Sequence, residues 1–202
     1  MYKLKVPGKL YLLGEYNVLA DGHSAILFAI DRYIKVSIAD CDTFVLVNEK
    51  QVYPLHVDQG KVSVEDDSLK ISESALQIAI DYLQFLGLEI RPFRLHLNNQ
   101  LVNEDGTKYG FGSSAAILVA ILRAVFTFHQ LNVSNFDLFK IAVLGQHILG
   151  KKTSGGDLAA VIYGELIYYR RYAYEWLKAG IKRGFNLIGE EWPMLAIVQL
   201  PH

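Results

Sequence analysis

The sequence predicts an α+β fold, and three observations carry that expectation. Strand-like segments crowd the first fifty residues, apolar residues at helical spacing take over after Ser68, and no regular βαβ alternation joins the two regions. The elements follow in order. Tyr2 to Val6 alternates as a short strand, Pro7-Gly8 reads as a turn, and Lys9 to Leu13 reads as a second strand closed by Gly14-Glu15-Tyr16. Asp21-Gly22 is a further turn. Ala25 to Ile30 is short and apolar, Tyr33 to Ile38 alternates, and Phe44 to Val47 is apolar. Residues 48–67 carry turn formers and charges, with Asp66-Asp67-Ser68 at the end.

Leu69, Ile71, Ala75, Leu76, Ile78, Ala79, Ile80, Leu83 and Leu86 then recur at helical spacing, with Gly87 as the stop. Phe93 to Leu97 alternates as a strand. Residues 98–108 form a polar loop in which Asp105-Gly106 is the clearest turn. An apolar helix is expected over residues 113–130. Ser134-Asn-Phe-Asp137 opens another with the features of a capping box, and Gly150 ends it. Residues 150–156 make a second polar, glycine-containing loop. Leu166 to Tyr169 reads as a strand, residues 172–191 hold a short helix, and Leu195 to Leu200 is again strand-like.

Composition narrows the function classes. The 202 residues are 51% hydrophobic and 20% charged, with a formal net charge of −1. That balance calls for neither nucleic acid nor an acidic membrane surface. The tyrosines at 168, 169, 172 and 174 lack the interleaved basic residues of a single-strand platform and read as packing. A single cysteine, Cys41, forms no intrachain disulfide and anchors no metal cluster. The N-terminus has no signal-like apolar core. The apolar run from Ala115 stops at Arg123, short of a membrane span. A cytoplasmic, reducing location fits these features.

The stretch with most chemistry is Tyr109-Gly-Phe-Gly-Ser-Ser-Ala-Ala116. A glycine-rich turn that feeds an apolar helix aims several N–H groups one way, at the positive end of the helix dipole. Taken alone it is either an anion cradle or a tight loop whose glycines permit unusual dihedrals. Lys9, before an apolar strand, either aims an ammonium at a phosphate or sits solvated at a strand edge. Asp157, after Ser154-Gly155-Gly156, either caps a helix, holds a metal or positions a reacting group. Ser113 and Ser114 are helix-start hydroxyls that also suit Mg²⁺ and phosphate. Gln146 and His147 lie late in a helix, and His147 reads as a partly buried, satisfied histidine. Lys151 and Lys152 read as a solvated loop.

Three segments together resemble the motifs of the galactokinase, homoserine kinase, mevalonate kinase and phosphomevalonate kinase superfamily, in its order. They are Pro7-Gly-Lys-Leu-Tyr-Leu-Leu-Gly-Glu-Tyr16, the 109–116 turn, and Ser154-Gly-Gly-Asp-Leu-Ala-Ala160. Within the superfamily the chain looks most like the bacterial phosphomevalonate kinases, through Gly8-Lys-Leu-Tyr with Gly14-Glu-Tyr, Arg91-Pro-Phe-Arg-Leu, and Glu165-Leu-Ile-Tyr-Tyr. Mevalonate kinases usually have Gly-Glu-His at Gly14-Glu15-Tyr16 and a metal-binding glutamate at the position of Gln146.

The resemblance implies a ribosomal protein S5 domain 2-like N-terminal domain over residues 1–194. A C-terminal ferredoxin-like domain is expected to be absent, with residues 195–202 as its possible start. It implies transfer of the γ-phosphoryl of ATP to 5-phosphomevalonate, with mevalonate as the rival acceptor and a non-catalytic nucleotide-binding module as the rival class. Lys9 and Asp157 would be the catalytic pair. Gly110, Gly112, Ser113, Ser114 and Ala115 would hold the nucleotide, and Ser114 and Asp157 would face Mg²⁺. With half the cleft missing, weak or no turnover is expected of these 202 residues.

Overall fold

A computed structural model describes residues 1–102 and 110–201, so Tyr109 and the Asp105-Gly106 turn lie outside the described residues. The α+β expectation holds. One mixed sheet is built on a long central strand, β2 (Ser24–Asp40). β1 (Tyr2–Leu13) runs antiparallel along one edge of β2. The other edge is shared: β7 (Phe93–Asn99) pairs with residues 34–40 and β8 (Leu166–Arg170) with residues 24–28. Beyond β7 lie β3 (Val45–Asn48), parallel to it, and β4 (Gln51–Pro54). Beyond β8 lies β9 (Ala196–Gln199), antiparallel to it in the same sheet. A separate hairpin joins β5 (His56–Asp58) and β6 (Lys61–Ser63).

The helices are α1 (Lys70–Phe85), α2 (Ser113–Phe128), α3 (Asn135–Ile148), α4 (Gly156–Tyr163) and α5 (Tyr174–Gly180). α2 and α4 pack on β1 and β2, and α1 and α3 pack on α2 and on each other. α2 is buried nearly all round, as its run of Ala, Ile, Leu, Val and Phe requires. α3 starts where its sequence says it should: Ser134 Oγ accepts from the Asp137 N–H at 3.0 Å. Under the sheet, Phe93 meets Phe44 and Phe128 edge-on, with centroids 5.3 and 5.9 Å away.

The structure corrects the reading of Pro7-Gly8. It is not a turn between two strands but an irregularity within one. Pro7 pairs with Tyr33 and Gly8 with Ile30, so Asp31 and Arg32 bulge out of β2 opposite that step. Proline has no N–H to give a ladder, and a bulge on an edge strand tolerates it. The bulge inverts the alternation. Before it, Leu4 and Val6 point towards the helices; after it, Lys9 and Tyr11 do, while Leu12 is exposed. β2 changes phase at the same place, from Ala25 and Leu27 inward to Ile34, Val36 and Ile38 inward. Its two apolar segments are therefore one bent strand. Residues 48–67, where the sequence shows only turn formers and charges, contain three short strands. Their few residues and Gly60 leave too little pattern for alternation to show.

Candidate functional site

The site forms where β1, the start of α2 and the start of α4 converge. The inverted alternation carries Lys9 inward, where its side chain is only 6% exposed. The Lys9 N–H, on the edge of β1 away from β2, donates to the Phe111 carbonyl at 2.9 Å and ties the glycine-serine turn to the strand. Gly112 then adopts φ +73° as the N-cap of α2. It has no side chain for a second reason. A Cβ there would lie 2.7 Å from Lys9 Cγ and 2.9 Å from Cε, so the lysine stem runs against the turn. Gly110 also has positive φ, +79°, but faces open space.

Gly112 offers α2 no capping side chain. The N–H groups of Ser113, Ser114 and Ala115 have no partner within the helix, as in any first turn, and none elsewhere among the described residues, which suits an anion at the positive end of the dipole. The Ser113 hydroxyl is already committed, accepting from Asn99 Nδ2 at 3.0 Å, and the residue is buried. Ser114 is exposed. It lines a cavity of about 130 Å³ with Ser74, Gln146 and Lys151, among others. The amide oxygen of Gln146 is buried there without a hydrogen-bond partner. Lys151 Nζ donates to Ser74 Oγ at 2.7 Å, whereas Lys152 turns towards the Tyr174 ring. The two lysines expected to share one solvated loop have separate surroundings.

Asp157 does not cap α4. The N-cap is Gly155, and Asp157 sits in the first turn, pointing back at β1. Its Oδ1 lies 3.1 Å from Lys9 Nζ. Tyr11, two residues beyond Lys9 on the same face, completes the group: the Lys9 ammonium stands 4.5 Å from its ring centroid. Burial first, then the charge of Asp157 and a hydrogen bond to it, push the Tyr11 phenol far above its ordinary value. A Cβ at Gly156 would lie 2.5 Å from the Tyr11 hydroxyl, so that glycine makes room for it. Glu15 is exposed and reaches the group only as a distant charge on Tyr11.

Lys9, Gly112, Ser113 and Asp157 are thus brought together from three elements, and Ser114 stands on the same helix end. Reading the residues singly missed Tyr11, although strand alternation from Lys9 points to it. It also missed Asn99, for which the sequence carries no signal. His147 is satisfied, as expected, by the Tyr172 hydroxyl at 2.8 Å.

The exposed Ser114 hydroxyl and the orphaned Gln146 amide oxygen line one cavity, and the Asp157 carboxylate stands at Lys9; hard oxygens of this kind suit a cation that keeps most of its ligands from phosphate and water. Among the described residues no cluster of three or more His, Cys, Asp or Glu could hold a metal by itself, and no helix is long and apolar enough to cross a membrane.

The chain is similar to known proteins in sequence and in fold. Residues 73–165 match the GHMP kinases N terminal domain. The chain is 35% identical over 180 residues to the phosphomevalonate kinase of Streptomyces sp. strain CL190, covering 81% of this chain and 48% of that protein. A crystal structure of the Lin0012 protein from Listeria innocua superposes with a TM-score of 0.88 at 33% identity, covering 100% of this chain and 58% of the other. Streptococcus pneumoniae phosphomevalonate kinase in complex with phosphomevalonate and AMPPNP superposes with a TM-score of 0.86 at 25% identity, covering 98% and 59%. The chain therefore spans about half the length of the relatives it matches. With sequence model, relatives and fold in agreement, the chain carries the N-terminal domain of the GHMP kinases.

Proposed function

We propose that this chain is the nucleotide-gripping half of a phosphomevalonate kinase, which moves the γ-phosphoryl of ATP to the phosphate of 5-phosphomevalonate, giving ADP and 5-diphosphomevalonate. The observation that carries the reading is the Lys9–Asp157 pair set under the open N-terminus of α2. The likeness to the Streptomyces and S. pneumoniae phosphomevalonate kinases supports this choice of acceptor.

The residues divide the work. The free N–H groups of Ser113 to Ala115, with the Gly110–Gly112 turn, bind and orient the nucleotide phosphates. Lys9 places its ammonium at the transferring and accepting phosphate oxygens. The main obstacle is repulsion between two anions, so a fixed cation in a water-poor site lowers the barrier more than a base would. The acceptor phosphate, with a second pKa near ~6, is already largely deprotonated at neutral pH. Asp157 is accordingly not an obligatory base. It holds Lys9 in place, and Tyr11 shields the pair on the other side. Ser114 and Asp157 would hold Mg²⁺, with the Gln146 amide oxygen beside Ser114. When bound, the ion neutralises charge on the nucleotide phosphates.

The test supplies ATP and Mg²⁺ with either 5-phosphomevalonate or mevalonate and follows products by phosphorus NMR. Formation of 5-diphosphomevalonate is the expected result in any longer parent chain, with weak or no turnover by these 202 residues. Turnover of mevalonate alone would reassign the acceptor. Binding of ATP without turnover of either compound, in these 202 residues and in any longer parent chain, would leave a nucleotide-binding module.

A further inference from the structure

Tyr169 and Tyr172 are fully buried, each 0% exposed. Phenylalanine would fill the same space without a hydroxyl to satisfy, so the two O–H groups need an account. Both donate to one loop. Tyr169 Oη donates to the Ser154 carbonyl at 2.5 Å, and Tyr172 Oη donates to the Thr153 carbonyl at 2.7 Å. Two consecutive carbonyls are therefore clamped by two rings that enter from β8 and the residues after it. The Tyr172 hydroxyl is itself held. A carbonyl only accepts, so the tyrosine proton goes to Thr153, and His147 on α3 must give its Nε2 proton to Tyr172. Within the loop, Thr153 Oγ1 accepts from the Gly155 N–H at 3.1 Å. Gly155 has φ +85°, and a Cβ there would lie 2.5 Å from the Tyr169 hydroxyl. The clamp thus ends at the N-cap of α4, two residues before Asp157.

Residues 151–154 have no helix or strand to fix them, and the chain passes from them straight into the turn that aims Asp157 at Lys9. We propose that Tyr169 and Tyr172 are positioning residues: through the Thr153 and Ser154 carbonyls they fix where α4 begins, and so hold Asp157 against Lys9 for phosphoryl transfer. This rests on the transfer reaction proposed above. Each hydroxyl gives its proton to a loop carbonyl. They act only through the loop.

The experiment uses Tyr169→Phe, Tyr172→Phe and the double variant, each also made in an Asp157→Ala background. Amide exchange should quicken about tenfold or more at residues 155–157 in the double variant, while β2 and α2 exchange as before. Turnover should fall by about tenfold or more with the ATP KM within about twofold. In the Asp157→Ala background the same tyrosine changes should cost less than about twofold, because their route to the chemistry is already gone. Unchanged exchange at 155–157 overturns the inference. So does a loss of turnover that is as large without Asp157 as with it. Failure of the transfer reaction itself shows separately, as absence of turnover in the unmodified protein, any longer parent chain included; the exchange measurement then decides the clamp without it.

Discussion

Lys9 Nζ lies 3.1 Å from Asp157 Oδ1, and the two ends of the pair are unequally exposed, 6% for the lysine side chain and 40% for the aspartate. The cation is the partner taken out of water. Folding has to carry that desolvation, and the half-exposed carboxylate returns only part of it. Lys9→Met keeps the stem against Gly112 and removes the charge. It should leave stability unchanged or raised by up to about 2 kcal/mol in urea denaturation, while ATP-dependent turnover falls by about a hundredfold or more. Asp157→Ala should also lower turnover by orders of magnitude in a folded protein. Near-normal turnover in both variants would end the assignment of this pair to catalysis.

The two glycines of the phosphate turn should differ. Both have positive φ, so an alanine at either costs about 1–2 kcal/mol in backbone strain. At Gly110 the new methyl meets open space; at Gly112 it meets the Lys9 stem at 2.7 Å. Gly112→Ala should therefore lose far more turnover than Gly110→Ala, and more thermal stability as well. Equal kinetic losses would mean that the contact with Lys9 is immaterial.

Ser114 is exposed and makes no packing contribution that alanine would lose. Ser114→Ala should melt like the parent within about 0.5 kcal/mol but need a higher Mg²⁺ concentration for half-maximal turnover. An unaltered Mg²⁺ dependence would remove Ser114 from the metal site.

His147 gives a pH signature. Burial, then the charges of Arg171 and Lys152, lower its pKa from 6.5 to about 4. Between those values the unfolded chain takes up a proton that the folded chain refuses. Its contribution is thus complete above pH 6.5 and lost as pH falls towards 4. Because the ring is partly exposed, the effect is about 1–2 kcal/mol rather than the full value of the shift. His147→Gln should flatten the fall in stability between pH 7 and 4.5 relative to the parent, measured by urea denaturation at each pH. Parallel curves for the two proteins would place the titration elsewhere.

The sequence disclosed some of this and concealed the rest, for physical reasons. α1, α2 and α3 were legible because each buries a broad apolar face with a clear start, Ser134 being the plainest. β4, β5 and β6 were not, since four or three residues hold too few alternations. Lys9, the glycine-serine turn and Asp157 stood out as motifs because each carries unusual residue types at fixed spacing. Tyr11, Tyr169 and Tyr172 did not, because a phenol that packs and a phenol that holds a carbonyl have the same letter. Only coordinates distinguish them, as they do the inward turn of Asp157 from an ordinary helix cap.

The phase change at Pro7-Gly8 has one further consequence. Side-chain direction in a strand follows the parity of a count, and Lys9, three residues after Val6, would face away from it in an unbroken strand; the step opposite Asp31 and Arg32 is what turns it inward. Straightening that step with every residue kept would restore simple alternation and send the ammonium to the bare side of the sheet. What this segment encodes is a break in phase, and a search by residue type alone would pass a chain in which that break had been lost.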